Sequence, residues 1–201
     1  ALKLGDIAQA KAYDPLLVEN GEKLNLLREN LIIEVREIYF NLVKNLAQEN
    51  QRASIFSDLD IFLKPGFNSD LGIMESLLST NVIDLKRKIT TSGPHKADVI
   101  FESKGSLIKD IFSRGEQKLL SILWSLSQNI YLGRVFNLSP ILLLDDLSSE
   151  LDTEMLECFL PTLKYIENRF VFSNIVDLFD SKILDKDLSL IHISEPTRLL
   201  A

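Results

Sequence analysis

Residues 15 to 50 carry apolar side chains at three- and four-residue steps: Leu24, Leu27, Leu31, Val35, Ile38, Leu42 and Leu46. That is the period of one face of an α-helix, and Glu22, Lys23, Arg28, Glu29, Glu34 and Arg36 fill much of the remainder. No proline or glycine interrupts the run from Leu24 to Leu46, so the spacing predicts one long helix or two nearly continuous ones. Such a helix either faces a core or serves as an arm that packs on a partner. Residues 54 to 65, "SIFSDLDIFLKP", alternate loosely and stop at Pro65-Gly66, which predicts a strand or edge hairpin. A second helical stretch runs from Leu71 to Lys88 and ends in the basic cluster "LKRK", which suits a helix carboxyl end or, less simply, a phosphate contact.

The pattern changes near residue 90. "TTSGPHKAD" reads as a turn-rich connector, followed by the short β-type runs "VIFES" and "LIKDIFS". A helix from Gly115 to about Leu132, a buried strand at 140 to 144, a helix over roughly 153 to 167 and a strand at 170 to 173 follow. Alternating helices and strands around a continuously aliphatic strand indicate a parallel α/β sheet covered on both faces. Trp124, in the middle of a helix, is expected in the core.

Composition narrows the function classes. At 201 residues and 46% hydrophobic, the chain can bury a sizeable core. No apolar run approaches the roughly 20 residues of a membrane span, and no secretory leader is recognisable. The single Cys158 excludes a disulfide framework within the chain and the common zinc spacings; it reads as a small core residue in a reducing cytosol. A net charge of −7 argues against a wholly basic nucleic-acid coat but leaves room for a local basic patch.

Two stretches carry chemistry. In "ILLLDDLSSELD", residues 141 to 152, an aliphatic strand ends in Asp145, where a carboxylate holds Mg²⁺ beside nucleotide phosphates. Asp146 would then lie near the terminal phosphate, where it can orient and deprotonate water. The plainer alternative is a strand followed by a turn that begins with two aspartates. Ser149 and Asp152 are spaced as a helix N-cap pair. In "FSRGEQKLL", residues 112 to 120, Ser113 and Glu116 form an S-x-x-E capping box ahead of a helix whose Leu119, Ile122, Leu123, Leu126 and Ile130 face a core. The same helix start can hold phosphate: Gly115 lets backbone approach closely, Ser113 brings a hydroxyl and Arg114 brings charge. The two uses are compatible.

A signature helix, a metal-binding strand and then S-x-L-D is the order found in the second half of ABC-type ATPase heads. The chain resembles one branch of that class, the RecF family of DNA replication and repair proteins. "TTSGPHKAD" is similar to the family's T-x-x-G-P-H-R-x-D, "FSRGEQKLL" to its serine–glycine–glutamine signature, and "LLLDDLSSELD" to its I-D-D-x-x-S-E-L-D run. The resemblance covers about residues 1 to 187 and is specific from 90 to 174. Lys96 stands where the family usually has arginine, and Glu116 where glutamine is common.

The resemblance implies an α/β ABC-type ATPase lobe, present as its second half over residues 90 to 187, and part of a mainly helical arm lobe over residues 1 to 89. It implies ATP and Mg²⁺ as ligands, Asp145 on the metal and Asp146 as catalytic base. Ser113, Arg114, Gly115 and Gln117 would contact ATP held by a second subunit, and Ser149 and Asp152 would lie in the loop at that interface. His95 belongs to the G-P-H motif and is expected near nucleotide or interface, or else as a hydrogen-bonded loop residue. Expected partners are a second copy, DNA at single-strand gaps and junctions, RecR and RecO, in loading the RecA recombinase, within the cytoplasm. No G-x-x-x-x-G-K-[ST] occurs, since none of the eight glycines precedes lysine and then Ser or Thr; the family carries that loop near its amino terminus. Residues 188 to 198, "LSLIHISEPTR", resemble translated sequencing-adapter DNA, so the native sequence is expected to stop near Asp187, leaving His192 and Pro196 without function.

Two rival readings stand beside it. Another ABC-type head, such as a transporter motor, would place glutamate after Asp145 and histidine after the 170–173 strand, where this chain has Asp146 and "SNI". A non-enzymatic helical interaction module would use the capping box and paired aspartates structurally.

Overall fold

The computed structural model describes residues 11–144, 147, 151–165 and 169–172. The first element, α1 (Asp14–Glu49), is the predicted long helix in one piece. A 3-10 turn at Gln51–Phe56 follows, then β1 (Asp60–Lys64), α2 (Gly72–Arg87), a 3-10 turn at Pro94–Lys96, β2 (Asp98–Ser103) and β3 (Ser106–Leu107). After these come the short α3 (Ile108–Ile111), α4 (Arg114–Phe136), β4 (Ile141–Leu144), α5 (Thr153–Phe159), a 3-10 segment at Leu160–Tyr165 and β5 (Arg169–Phe172). The described residues fall into two compact units. One comprises α1 through Glu34 with Leu59–Leu107; the other comprises Val35–Asp58 with the described residues from Ile108 onward.

In the first unit β1, β2 and β3 form an antiparallel sheet in that order. Phe62 pairs with Ile100 and Leu63 with Val99, while Lys64 stands opposite Asp98, an opposite-charge pair that supports the register. Asp60 opposite Glu102 works against it. Between β2 and β3 the chain turns through Lys104 and Gly105, both at positive φ (50° and 77°), which matches the right-handed twist of the flanking strands. Ile61 and Ile73 are buried here, and Ser76, Leu77 and Asp84 continue the inward face of α2.

The second unit is built on α4 and the carboxyl half of α1. Val35, Ile38, Leu42, Val43 and Leu46 of α1 are buried, as are Leu119, Leu120, Leu123 and Leu126 of α4. Aromatic edges close the cluster: Tyr39 meets Trp124 at 6.1 Å between ring centres, and Phe56 meets Phe112 at 5.6 Å. Burial pushes the Tyr39 phenol well above its usual range, and its hydroxyl donates to the Phe56 carbonyl at 3.2 Å. β4 and β5 pair in parallel, Ile141 beside Arg169 through Leu144 beside Phe172. No helix among the described residues is long and apolar enough to cross a membrane.

Several expectations change. The apolar stripe of α1 is buried only from Ile32 onward; Leu24, Leu27 and Leu31 stay exposed, Leu27 to 66%. Gly21 lies inside the helix because a Cβ there would come within 2.8 Å of Ile73 and 2.9 Å of Pro94. Residues 54 to 56 are 3-10 turn rather than strand, since the Asn50 side chain accepts from the Arg52 N–H and starts a helical turn before the alternation takes hold. In "LIKDIFS" the strand ends at Leu107, and Ile108 to Ile111 coil into helix. The expected helix over 153 to 167 ends at Phe159, with 3-10 structure through Pro161, whose missing N–H cannot extend an α-helical ladder. Trp124 is half-buried against Tyr39 rather than enclosed. Of the strand expected to be covered on both faces, Ile141 and Leu143 are exposed among the described residues, Leu143 to 73%.

Candidate functional site

The start of α4 is fixed from within its own sequence. Ser113 has extended backbone angles (φ −60°, ψ 164°), and its hydroxyl accepts from the Glu116 N–H at 3.3 Å. Glu116 returns the contact, accepting from the Ser113 N–H at 2.7 Å. Both halves of the predicted capping box are therefore present. Gln117 turns backward: its amide nitrogen donates to the Phe112 carbonyl at 2.8 Å and to the Lys109 carbonyl at 3.3 Å, tying the helix to the turn before it.

What this leaves at the helix end is chemically specific. Of the first-turn N–H groups, those of Ser113 and Glu116 are used by the capping box, and that of Gln117 donates to the Ser113 carbonyl at 2.9 Å. The N–H groups of Arg114 and Gly115 have no helical acceptor, as expected for the first positions of a helix. The Ser113 oxygen accepts, so its own proton remains available to donate. The Arg114 side chain is exposed. Together they present two backbone donors, a hydroxyl and a guanidinium at the positive end of a 23-residue helix dipole.

Asp152 closes one side of this patch. It is the N-cap of α5, its Oδ1 accepting from the Met155 N–H at 2.8 Å. Its other oxygen, Oδ2, lies 3.4 Å from where a Cβ on Gly115 would stand, and Met155 Cγ lies at the same distance. These are ordinary contacts, so the packing within this chain tolerates a methyl group at residue 115. Sequence-expected Gly115 and Asp152 are thus brought together, beside Ser113 and Arg114. Asp145, Asp146 and Ser149 lie outside the described residues. No cluster of three or more His, Cys, Asp or Glu side chains suited to a metal occurs among the described residues.

His95 belongs to the other unit, on the exposed 3-10 turn of the G-P-H segment, where a ring nitrogen, Nε2, is 2.9 Å from the Thr90 carbonyl. Counting that contact, the segment around it is held from four directions. Gly93 N–H donates to the Gly66 carbonyl at 2.9 Å, and Arg28 donates to the Pro94 carbonyl at 2.6 Å. Gly66 has φ +81°, and a Cβ there would lie 2.5 Å from the Gly93 oxygen, so only glycine fits. The fourth hold is Asp84, whose Oδ1 accepts from both the N–H (2.9 Å) and the hydroxyl (2.5 Å) of Thr91. Sequence reasoning missed Arg28, Gly66 and Asp84. The signal for Asp84 was present: it stands seven residues beyond Leu77, where the helical period predicts an inward-facing position, and a carboxylate there requires donors.

The comparisons with known proteins bear on this geometry. No protein-family model matches the chain. Among curated proteins it is 30% identical over 174 residues to the DNA replication and repair protein RecF of Coxiella burnetii (strain Dugway 5J108-111), an alignment covering 87% of this chain and 46% of that protein. It is 32% identical over 186 residues to the RecF of Acinetobacter baumannii (strain ATCC 17978), covering 92% of this chain and 49% of the relative. The chain spans about half the length of the curated relatives it matches. Two solved structures share its fold at 21% identity: the recombination mediator protein RecF-ATPrS in the RecFOR pathway (TM-score 0.59; 83% of this chain, 45% of that one) and RecF-ATP in the same pathway (TM-score 0.55; 87% and 48%). Mostly helical with small sheets, the described residues are consistent with part of an ABC-type ATPase fold.

Proposed function

We propose that the chain, which is similar to RecF proteins over about half of their length, is part of a DNA repair ATPase that dimerises on ATP. The observation that carries the proposal is the open helix end at Ser113, Arg114 and Gly115. Residue 115 has room for a methyl group, yet it is glycine, and glycine near a helix start costs conformational entropy unless something must approach the backbone. A phosphate group is the ligand that such an end recognises. The internal ties of Gln117 give it a second role, holding the turn that leads into Ser113.

In this reading Ser113, Arg114 and Gly115 contact the phosphates of an ATP bound mainly by a second subunit, with Gln117 behind them and Ser149 and Asp152 in the loop at the interface. The strand β4 ends at Leu144 and is paired in parallel, so Asp145 and Asp146 follow the carboxyl end of a parallel strand, where nucleotides are held in open α/β sheets. A carboxylate is a hard oxygen donor suited to Mg²⁺, and Asp145 is the residue that would hold it. Bound there, the metal would neutralise phosphate charge. Asp146 would accept the proton of the attacking water. Residues 1–89 would belong to the arm lobe and 90–187 to the second half of the ATPase lobe, with His95 at the return between them. The whole protein would act in the cytoplasm on DNA at single-strand gaps and junctions, with RecR and RecO, in loading RecA.

The rival of a purely structural capping box is supported by the complete reciprocal hydrogen bonding of Ser113 and Glu116. An in-frame fusion of this chain to the portion of the Acinetobacter relative that it does not span tests the catalytic part of the proposal. In that fusion Asp146→Asn is expected to keep ATP-dependent dimers while hydrolysis falls on the order of 10²-fold or more. Turnover equal to the unsubstituted fusion removes Asp146 from the catalytic assignment.

A further inference from the structure

The structure carries a concentration of positive charge that the nucleotide reading does not use. Lys86 and Arg87 occupy the last turn of α2, Lys88 is its C-cap, and His95 and Lys96 follow on the 3-10 turn; all five side chains are exposed. No acidic residue interrupts positions 85 to 97, although the chain as a whole has 29 Asp and Glu against 22 Lys and Arg. Among the described residues, none of the five is held in an ion pair.

Two features set this cluster apart from an ordinary basic helix end. Lys88 adopts φ 58°, ψ 27°. Left-handed C-cap geometry of this kind favours glycine or asparagine, because the Cβ of any other residue crowds the neighbouring backbone there. A lysine therefore stands at a position that backbone preference alone would give to glycine. The second feature is rigidity. Asp84 grips Thr91, the Ile89 N–H reaches the Asp84 carbonyl at 3.3 Å, and His95 bonds back to Thr90, which folds the two basic groups onto one short span. Arg28 on the Pro94 carbonyl and Gly66 on Gly93 fix the far side. Cations mounted on a pre-formed loop lose little freedom when an anion docks.

We infer that Lys86, Arg87, Lys88, His95 and Lys96 form a docking surface for the phosphate backbone of nucleic acid. The surface reads no bases: it offers charge without an inserted helix or aromatic stack, which suits backbone contacts that position a protein on DNA. The inference deepens the proposed function and rests on it for the choice of DNA over other polyanions.

The test is anisotropy of a short fluorescein-labelled DNA duplex titrated with the 201-residue chain, without nucleotide, at several salt concentrations. Each phosphate neutralised contributes about 0.9 to the slope of log affinity against log salt. The triple substitution Lys86→Gln, Arg87→Gln, Lys88→Gln is expected to lower that slope by nearly 3. The equally neutralising triple Lys11→Gln, Lys44→Gln, Lys104→Gln, at exposed positions elsewhere, is expected to leave it unchanged. Lys88→Gly provides a second variant that relieves the left-handed backbone: it should melt no lower than the parent and still lower the slope by about 1. Equal slopes for the parent and the Lys86–Lys88 triple overturn the inference, as does an equal loss in both triples. So does a triple that loses affinity for polyglutamate while holding the duplex normally. Because nucleotide is absent, an unchanged slope removes the basic surface and leaves the ATP reading standing. Failure of ATP-driven dimerisation in the fusion does the reverse.

Discussion

Asp84 offers a perturbation whose size follows from the structure. Its carboxylate is only 5% exposed and accepts from the Thr91 N–H at 2.9 Å, the Thr91 hydroxyl at 2.5 Å and the Thr80 hydroxyl at 3.1 Å. Thr80 has one proton, and the Ser76 carbonyl competes for it at 3.0 Å, so two bonds belong firmly to Asp84. Hydrogen bonds to a charged group are worth roughly 1.5–3 kcal/mol each. Thr91 is half-buried, so water restores part of its bonding after truncation, and removing a buried charge also removes a desolvation penalty. Asp84→Ala should therefore destabilise by about 2–3 kcal/mol. Asp84→Asn keeps an oxygen for both Thr91 donors, and Thr80 can turn its proton to Ser76, so that change should cost about 1 kcal/mol. Urea unfolding of both variants gives the energies, and amide exchange at Thr91 reports whether the G-P-H segment is the part released. Equal losses for the two substitutions, or unchanged Thr91 protection in Asp84→Ala, would refute the claim that this carboxylate anchors the segment.

Gly66→Ala should destabilise by more than about 3 kcal/mol by urea unfolding, combining a disfavoured φ with a 2.5 Å clash against the Gly93 carbonyl; a loss under about 1 kcal/mol would show that the turn can move. Burial raises the Cys158 thiol pKa above its ordinary 9.0, with the Glu157 charge adding and the Arg52 charge subtracting. The folded state thus favours the neutral thiol, so its contribution is complete below the ordinary thiol pKa and is lost as pH rises through the folded value. The urea midpoint should fall above that ordinary value, and less steeply in Cys158→Ala; identical alkaline slopes would contradict the burial argument.

Much of the second unit was legible in the sequence because its signals are local. An S-x-x-E box followed by Leu119, Leu123 and Leu126 at helical spacing defines where α4 starts and which way it faces. The aliphatic run at 141 to 144 marks a strand by the same kind of short-range evidence. Less legible were contacts whose partners are distant in sequence. Arg28 reaches Pro94 across 66 residues, and nothing in the local pattern of either stretch announces it. The 3-10 turn at Gln51–Phe56 escaped because Ser54, Ile55 and Phe56 suit a strand by propensity, and the deciding cap, Asn50, lies outside that run. Exposure of Leu24, Leu27 and Leu31 illustrates another limit. Periodicity shows that a helix has an apolar face, and not what covers it.

The central claim is that the helix end at Ser113–Gly115 holds a nucleotide rather than only capping α4. Gly115→Ala tests it most directly, since the packing around residue 115 leaves room for the methyl group at ordinary contact distance. In the fusion with the Acinetobacter relative, sedimentation with and without ATP should show nucleotide-dependent dimers for the parent and their loss in Gly115→Ala, with the two melting at closely similar temperatures. ATP-dependent dimers of undiminished strength in Gly115→Ala would contradict the account.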